Sequence, residues 1–568
     1  MERNAILATA LVILILIGYQ WYLSQVEAPP HEPPRPTAAP SPQPAAPAPT
    51  AAPKPAQGRP AATPKGYTPT AQLELSVQEV VVETPLMRVT LSTAGARVTS
   101  WQLKKYHVGN GAPVDLVAVM DPGSSPGPLS AWADGDQVQA PHQVDRQRLD
   151  LGGRDESGSV TFTGVSASGM EIQKKLTFHA DRYYVEVDLA VRNLSVAEAP
   201  VELRIAWGPG LRNSLDKKHS TLQAPTLWVN GKREHEDLSK LNGGKVVTGN
   251  ISWAALQDTY FAAALLPRDK ALQAFVKKAA EDQPIVGLEA AKQVLPSGGQ
   301  VGANVWVFAG PKDLDVLKEV GHDLDQLVDL GMFDRIYLVT AALWLLKFLY
   351  RFTGNYGIAI ILVTVLQKVA FHPLTVKSLK SMKAMQEIQP KVQALQERHK
   401  NNPKKKQEET MSLYKKHGVN PMGGCLPMVV QIPIFIALYN ALSSSVEMWQ
   451  AHFLWIHDLT QPDSLFTLDL YGATRNVGNI LGLLMGVSMW VQQKMSPPAG
   501  DPRQAQMMLW MMPILFTFMF WSFPSGLVLY WLVNNVLQVG QQWLITRKPA
   551  RPAIAEGEGG QAGRQLGA

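Results

Sequence analysis

The chain has 568 residues, a formal net charge of +6 and a single cysteine, Cys425. This length is enough for several domains, and one cysteine excludes both a disulfide framework and a cysteine metal cluster. The composition is uneven, because apolar and aromatic residues concentrate after Met332. The net positive charge is a local bias that says little about nucleic acid, and we expect no DNA partner.

The N-terminal segment Ala5–Leu23 is almost wholly apolar, follows Arg3 and ends in aromatic residues that include Trp21. Such an aromatic end is typical of a membrane interface. The apolar stretch is longer than a usual signal-peptide core, and the only candidate cleavage site, at Val26–Ala28, is poor. We therefore predict an uncleaved transmembrane anchor over residues 1–27, with a cleaved signal peptide as the alternative.

Residues 28–72 are dominated by proline and alanine, a composition that favours an extended linker over a packed core. Short runs rich in valine, threonine and aromatic residues follow, such as Tyr183–Leu189 and Val201–Trp207. Turn residues separate these runs, which predicts a large antiparallel β-sandwich. We place this domain at residues 73–330, including a helical stretch at its end.

Beyond residue 331 the pattern is that of a helical membrane domain, which we predict to end at residue 546. An amphipathic stretch carries Trp344 and Lys347 among aliphatic residues and suits a helix in the membrane interface. Five segments near the length that a bilayer requires follow it. The predicted interfacial helix covers 336–352, and the predicted spans are 356–372, 424–444, 477–494, 507–523 and 525–545.

Charge asymmetry between the loops predicts the orientation. The loop 374–422 holds eleven lysines and arginines against four glutamates, whereas the loop 445–476 holds only Arg475. Because positive loops stay in the cytoplasm, the first loop is predicted to be cytoplasmic and the second to face out. This places the β domain outside, and both the N-terminus and the short tail 547–568 inside.

The cytoplasmic loop predicts a basic helical hairpin. Apolar residues recur at helical spacing, the sequence Asn401–Pro403 supplies a turn, and Pro390 is expected to kink the first helix. A solvated charged face is the usual meaning of such lysines, but together they suit anionic lipid, ribosomal RNA or an acidic protein. The candidate binding residues are Lys391, Lys404, Lys405 and Lys406.

No catalytic motif is present in the sequence. There is no zinc-protease, nucleophile-elbow or phosphate-loop spacing. The acidic pair Asp323 and Asp325, and the pair His457 and Asp458, suit a solvated helix face and an interfacial loop better than acid or base chemistry. We expect neither an enzyme nor a cofactor or metal.

Lys368 lies within a membrane-length apolar segment. A charge at mid-bilayer costs about 2.5 to 3.5 kcal/mol, so it indicates function by default. The alternative is that its long side chain reaches the interface, since Pro373 lies only five residues further on. Because the predicted spans contain no acidic partner, the lysine needs water around it. Other polar residues of the spans, which suit either a polar cavity or simple helix contacts, are Thr364, Gln431, Asn534 and Asn535.

Several longer motifs resemble the Gram-negative type of the YidC/Oxa/Alb family of membrane protein insertases. They are Asn420–Tyr439, Trp455–Leu459, Gln493–Pro497 and Phe523–Tyr530, with Trp253–Ala262 in the β domain. The resemblance implies a multidomain membrane protein of the bacterial inner membrane. Its α-helical bundle would comprise the anchor and a five-helix core, and its periplasmic β-sandwich would resemble the supersandwich of sugar mutarotases.

The resemblance also implies a hydrophilic groove, open to the cytoplasm and to lipid, through which nascent membrane proteins are inserted and helped to fold. Lys368 stands where the family has an arginine, and Thr364, Gln431, Tyr530 and Trp531 fall at groove or substrate-contact positions. The implied partners are nascent membrane proteins, the lipid bilayer, the Sec translocon, and the ribosome and signal recognition machinery at the cytoplasmic loop. The alternatives are a solute or anion transporter or channel, and a membrane-tethered envelope protein that binds carbohydrate.

Overall fold

The computed structural model describes residues 77–108, 111–118, 127–132, 141–166, 168–211, 224–241, 243–279, 283–329, 337–399, 402–418, 426–470, 473–495 and 502–547. The predicted anchor, the linker and the tail beyond residue 547 lie outside the described residues. By internal contacts the chain divides into two compact units. One is Pro69–Lys383 with Met422–Ala568, and the other is Met1–Thr68 with Ala384–Pro421.

The first part of the described chain is almost entirely β-structure. Its strands alternate buried and exposed residues, as in β10, where apolar side chains of one face are buried and the intervening residues are more exposed. The strands are β1 (Glu79–Glu83), β2 (Met87–Ser92), β3 (Arg97–His107), β4 (Pro113–Asp115), β5 (Ser130–Trp132), β6 (Gln143–Val144), β7 (Arg148–Asp150), β8 (Ser157–Val165), β9 (Met170–His179), β10 (Tyr184–Asn193), β11 (Ala199–Val201), β12 (Arg204–Trp207), β13 (Thr226–Val229), β14 (Lys232–His235), β15 (Lys245–Val247), β16 (Ile251–Gln257), β17 (Phe261–Pro267), β18 (Leu272–Lys278), β19 (Pro284–Ala290), β20 (Gln293–Leu295) and β21 (Gln300–Pro311).

Three sheets of these strands contribute buried residues to one hydrophobic cluster. The largest has the order β14-β13-β16-β17-β21-β10-β9-β8-β6, and two five-stranded sheets have the orders β4-β3-β2-β1-β7 and β15-β18-β19-β12-β5. Neighbouring strands are antiparallel except for β1 and β7. The rings of Trp101 and Trp207, on different sheets, lie 5.7 Å apart within the core. The predicted mostly antiparallel β-sandwich is therefore confirmed, whereas the finer likeness to a mutarotase supersandwich stays a prediction.

The second part is helical, apart from the hairpin of β22 (Phe466–Leu470) and β23 (Ala473–Val477). A short helix closes the β domain, and a helix follows near the predicted interfacial segment. The helices are α1 (Leu314–Val320), α2 (Leu338–Thr353), α3 (Tyr356–Ala370), α4 (His372–Arg398), α5 (Pro403–Lys416), α6 (Leu426–Ser444), α7 (Ile480–Met495), α8 (Pro502–Phe520) and α9 (Ser525–Arg547). Pro390 lies inside α4, Pro433 inside α6 and Pro513 inside α8.

The helical core predicted from the sequence is present, but its spans are not established by helix length. Among the described residues, no helix taken alone combines the length and apolar composition needed to cross a bilayer. The pair Tyr356–Ala370 and His372–Leu395 meets these criteria together, with a bend of 64° between its two parts. The five predicted spans therefore remain predictions.

The helices pack around an apolar cluster of their own. Helices α3, α6, α7, α8 and α9 contribute to it together with the segment between α6 and α7. Glycine permits the closest approaches: a Cβ atom on Gly486 of α7 would lie 2.1 Å from Thr517 Oγ1 of α8, and one on Gly357 of α3 would lie 2.1 Å from the Phe453 ring. Any larger residue would push these elements apart. The cluster brings α3, α6 and α9 close enough for their polar side chains to meet.

Candidate functional site

Three polar side chains from three helices form a closed ring of hydrogen bonds. The Gln367 amide of α3 donates to Gln431 Oε1 of α6 over 3.1 Å. The Gln431 amide donates to the hydroxyl of Tyr530 on α9. That hydroxyl donates back to Gln367 Oε1 over 3.1 Å. Each group thus donates once and accepts once, so this amide–tyrosine ring pairs the buried Tyr530 hydroxyl and two partly buried amides without any charge.

Lys368 lies next to this ring and has a neutral partner. Its Nζ donates to Gln538 Oε1 of α9 over 2.8 Å, and its side chain is only partly buried. No carboxylate within 4.0 Å of Lys368 Nζ is found in the part of the chain that the structure describes. Among the described residues the positive charge is therefore paired with an amide dipole and not with an anion, so it can attract an anionic group.

Helix α9 presents two polar faces that differ in their hydrogen bonding. On the face toward α7, Asn535 Nδ2 donates to Ser488 Oγ over 3.2 Å, and Gln542 Nε2 donates to Met495 O over 2.7 Å. On the face with Gln538, the buried Asn534 Oδ1 and Gln541 Oε1 atoms accept no hydrogen bond within the described residues. The first face joins helices. The second face offers acceptor atoms and includes the amide that bonds to Lys368, as a binding site for a polar chain would.

We call the ring residues together with Lys368, Asn534, Gln538 and Gln541 the polar cluster. Two residues predicted for the site lie differently. Thr364 is fully buried, and its hydroxyl donates to Ile360 O of its own helix over 2.7 Å. Trp531 packs against the rings of Phe435 and Phe520, at 5.0 and 5.2 Å, in an apolar environment. Both support the walls around the polar cluster without contributing a polar atom to it.

Sequence reasoning missed Gln367, Gln538 and Gln541. Their signal was present in the sequence, since Gln367 adjoins Lys368, and Gln538 and Gln541 follow Asn534 by one and two helical turns. These glutamines lie toward the ends of predicted spans, where a polar residue suggests contact with the membrane interface. Only their partners across the bundle show that they belong to the site. The pairing of Lys368 with Gln538 spans 170 positions of the chain.

An apolar stripe lies on the outer surface of the helical bundle, on α8. On α8, exposed apolar residues recur at the spacing of one helical face, which gives a continuous stripe. An exterior of this kind is typical of helices that lie against lipid or against another apolar helix. The stripe consists of Met507, Trp510, Met511, Ile514, Leu515 and Phe518.

The basic hairpin described in the other unit is held by a small core and by two polar contacts. Ile388 and Val392 of α4 pack with Tyr414 of α5. Lys391 Nζ lies 3.2 Å from His417 Nε2, and His399 Nε2 lies 2.9 Å from Glu409. The lysines predicted to bind a partner point outward or lie at the surface. Lys391, Lys404 and Lys405 are exposed, and Lys406 is partly exposed.

The residues considered for acid or base chemistry have structural contacts. Asp458 accepts hydrogen bonds from the Thr460 amide and hydroxyl at 2.8 and 2.7 Å, and Asp323 accepts one from Trp228 Nε1 at 3.2 Å. Within the described ranges, no three histidine, cysteine or carboxylate residues are grouped so as to hold a metal ion.

The β-sandwich is followed by a helical bundle with a polar cluster between three helices and an apolar stripe on its surface, an arrangement typical of a membrane protein with a large extramembrane domain. A family model described as "60Kd inner membrane protein" matches residues 348–551, and one described as "YidC periplasmic domain" matches residues 79–345. The chain belongs to the YidC family.

Similar proteins cover almost the whole chain. A protein of Syntrophus aciditrophicus named "Membrane protein insertase YidC" is 35% identical over 96% of this chain and 100% of its own length. One of Geobacter sulfurreducens with the same name is 37% identical over 96% of this chain and 98% of its own. A crystal structure of an active YidC insertase with its first transmembrane domain resolved is 19% identical, with a TM-score of 0.34, and covers 82% of this chain and 93% of that chain.

Proposed function

We propose that the protein inserts nascent membrane proteins into the inner membrane and helps them to fold, without a cofactor. The observation that carries this proposal is the polar cluster between α3, α6 and α9. Lys368 pairs there with an amide, and two buried amide oxygens have no partner among the described residues. The similar proteins named membrane protein insertases support the same function.

The polar cluster would bind the hydrophilic part of a client chain. Lys368 attracts acidic side chains of that segment, because a charge in a site of low dielectric acts strongly on an opposite charge. Backbone amide and carbonyl groups of the client find acceptors in Asn534 and Gln541 and donors in the glutamines of the ring. Hydrogen bonds to the protein then replace those to water, which lowers the cost of moving polar groups below the membrane surface.

The apolar stripe on α8 would guide the hydrophobic span of the same client. A membrane span leaves the polar cluster because apolar groups are more stable in lipid than beside amides and a cation. The methionines of the stripe suit clients of varied shape, since their unbranched side chains adapt to irregular surfaces. Free energy for insertion comes from this partitioning, so the protein needs no chemical step.

The proposal includes the topology predicted from loop charge. The basic hairpin lies in the cytoplasm, where the exposed Lys391, Lys404 and Lys405, with Lys406, meet the ribosome or the signal recognition machinery. The β domain faces the periplasm, and the protein acts alone or beside the Sec translocon. The domain limits 1–27, 28–72, 73–330, 331–546 and 547–568 belong to this proposal.

Site-specific crosslinking tests the function. A photoreactive amino acid replaces Gln538 or Tyr530 in the full chain, and ribosomes carrying a stalled membrane-protein client are added to the membranes. We expect crosslinks from both positions to the polar segment of the client, and none from a control position at Val196, which is exposed on the β domain. A client that inserts without crosslinking to either position would contradict the proposal and favour an anion transporter instead.

A further inference from the structure

Lys347 of α2 forms a junction between the β domain and the helical core. Its Nζ lies 3.2 Å from Asp313 Oδ1, 2.8 Å from Asp315 Oδ2 and 2.6 Å from Glu447 Oε1. Asp313 precedes α1 and Asp315 lies in its first turn, whereas Glu447 lies three residues after the end of α6. One ammonium group therefore connects three separate segments.

Burial decides which of these ion pairs matters. The side chains of Lys347, Asp313 and Glu447 are 24%, 17% and 16% exposed, but that of Asp315 is 78% exposed. Exposed pairs contribute little, whereas breaking a buried pair leaves an uncompensated charge. Both of the less exposed carboxylates are also held in place, since Asp313 Oδ1 accepts a hydrogen bond from the Asp315 amide at 2.7 Å and Glu447 accepts one from the Ser445 hydroxyl.

Apolar contacts also join α2 and the C-terminal end of α6 to the β domain. The main hydrophobic cluster of the β domain includes Val339 of α2 and Ala441 of α6. The indole of Trp449, two residues after Glu447, lies 5.2 Å from the Phe261 ring and 6.0 Å from the Tyr260 ring, both in the β domain. The C-terminal end of α6, which we call its outer end, is thus joined to the β domain by apolar packing and by an ion pair.

The same helix carries a member of the amide–tyrosine ring. Gln431 lies ten residues before Ala441 on α6, which corresponds to about 15 Å of helix. Pro433 removes one backbone hydrogen bond, but α6 continues from Leu426 to Ser444. Hydrogen bonds of 3.1 Å are lost when the atoms move beyond about 3.5 Å, so a small displacement of α6 opens the ring.

We propose that Lys347 is a positioning residue, which fixes the outer end of α6 against the β domain so that Gln431 closes the ring with Gln367 and Tyr530. The junction sets the geometry of the polar cluster from a distance and does not touch the client. This inference rests on the proposed function only for its effect on insertion, because the position of α6 is measured independently.

The position of α6 is tested by a distance between spin labels in the full chain. Labels are attached at Val429→Cys on α6 and Val536→Cys on α9, both exposed, in a Cys425→Ser background. We expect Lys347→Met to shift the mean distance by about 2 Å or to broaden its distribution, because ring hydrogen bonds cannot persist beyond about 3.5 Å. Lys347→Arg should preserve the distance, since it keeps the charge.

Two further variants test whether the shift of α6 comes from the ion pairs of Lys347. Lys104→Met removes another ion pair of 2.6 Å, with Glu83 inside the β domain, and should leave the distance unchanged. Glu447→Gln cuts only the link to α6 and should reproduce the shift, which decides the question if Lys347→Met fails to fold. An unchanged distance in folded Lys347→Met or Glu447→Gln protein would overturn the inference.

Client insertion gives the second readout. In Lys347→Met membranes we expect insertion of an acidic client to fall at least about fivefold, the lower end of typical coupling between distant sites. Lys347→Arg should restore it. A shifted distance with normal insertion would show that the junction positions α6 as inferred, but that the ring does not serve the proposed function.

Discussion

Lys174 in the β domain and Lys368 in the helical core are held in different ways, although neither is paired with a carboxylate within the described residues. Lys174 of the β domain is fully buried, and its Nζ donates to the backbone oxygens of Ala96 and Leu129. Lys368 of the helical core is partly buried and donates to the side chain of Gln538. The β domain thus fixes its lysine with immobile backbone acceptors, whereas the helical core holds its lysine with a side chain that has several rotamers.

This difference separates a structural cation from a binding cation. A group with fixed acceptors in a closed environment cannot exchange them, so Lys174 only stabilises or destabilises the fold. The Lys368 ammonium group bonds to a rotatable amide on a helix face that also carries two amide oxygens without a partner among the described residues, so it can exchange Gln538 for a ligand at small cost. By burial alone, Lys174 is the more unusual of the two lysines. Lys368 is nevertheless the better candidate for function, because its partner Gln538 can change rotamer.

Charge reversal at Lys368 should have the largest effect. We expect Lys368→Glu to reduce insertion of clients with acidic translocated segments about a hundredfold, because attraction of several kcal/mol at close range becomes repulsion. Lys368→Arg should be tolerated, since the charge is kept. The measurement is protease protection of the translocated segment in cells depleted of the wild-type protein.

A client with a neutral translocated segment is the control for this variant, and its insertion should change far less. Normal insertion of acidic clients by Lys368→Glu would show that the charge of the polar cluster plays no part in the mechanism.

The amide–tyrosine ring should show an effect on stability of intermediate size. Tyr530→Phe leaves one donor and one acceptor of the ring without partners, which should lower the free energy of unfolding by about 2 kcal/mol. The combined variant Gln367→Met, Gln431→Met and Tyr530→Phe removes all the polar groups and should regain most of that loss. Guanidinium unfolding in detergent, followed by tryptophan fluorescence, measures both changes.

The combined variant tests whether the ring is needed for insertion independently of its effect on stability. If the ring serves the client, the combined variant will be stable but inactive. Full activity in a stable combined variant would mean that the ring only joins the helices, as buried amides in membrane bundles often do.

Sequence reasoning predicted the elements but not all the contacts. The alternating apolar runs predicted the β-sandwich. Polar residues within apolar segments led to Lys368 and Gln431, and the family resemblance led to Tyr530. Period-2 and period-3.6 patterns report which side of an element is buried, and this information is local. The partner of Lys368 lies 170 residues away, so no local pattern identifies Gln538.

The position of Thr364 illustrates the same limit. It shares a helical face with Lys368 by spacing, yet its hydroxyl bonds to Ile360 O and its side chain is fully buried. Which part of that face opens toward α9 depends on how the helices cross, and helix spacing does not specify crossing. The ion pairs of Lys347 were missed for the same reason, since they join segments separated by about thirty and one hundred residues.

We expect Lys174 to make the free energy of unfolding depend on pH. Burial lowers its pKa from the ordinary value of 10.5 to about 7, and burial likewise lowers the pKa of Lys312 to about 8. Between these folded values and 10.5 the unfolded chain binds protons that the folded chain has released, so stability rises with pH. We expect the free energy of unfolding to increase by about 2 kcal/mol from pH 7.5 to 8.5, with the larger part from Lys174.

In Lys174→Met this increase should be smaller, leaving the part that belongs to Lys312. Guanidinium unfolding of the intact chain at several pH values measures it. An identical pH dependence in wild type and Lys174→Met would mean that Lys174 remains charged in the fold above pH 8.

The smallest effect is expected at Gln538, and it tests whether water reaches Lys368. In Gln538→Leu the ammonium group loses its amide partner. If water or a client has access to the polar cluster, the lost hydrogen bond is replaced and the free energy of unfolding falls by less than about 1 kcal/mol. If the site is closed and dry, an unpaired cation remains in an apolar interior and the loss should exceed about 3 kcal/mol.

A small loss, measured by the same unfolding assay with Val536→Leu on the exposed face of α9 as the control, would support exchangeable contacts at Lys368. A large loss would place Lys368 with Lys174 as a structural cation and remove the distinction between the two regions.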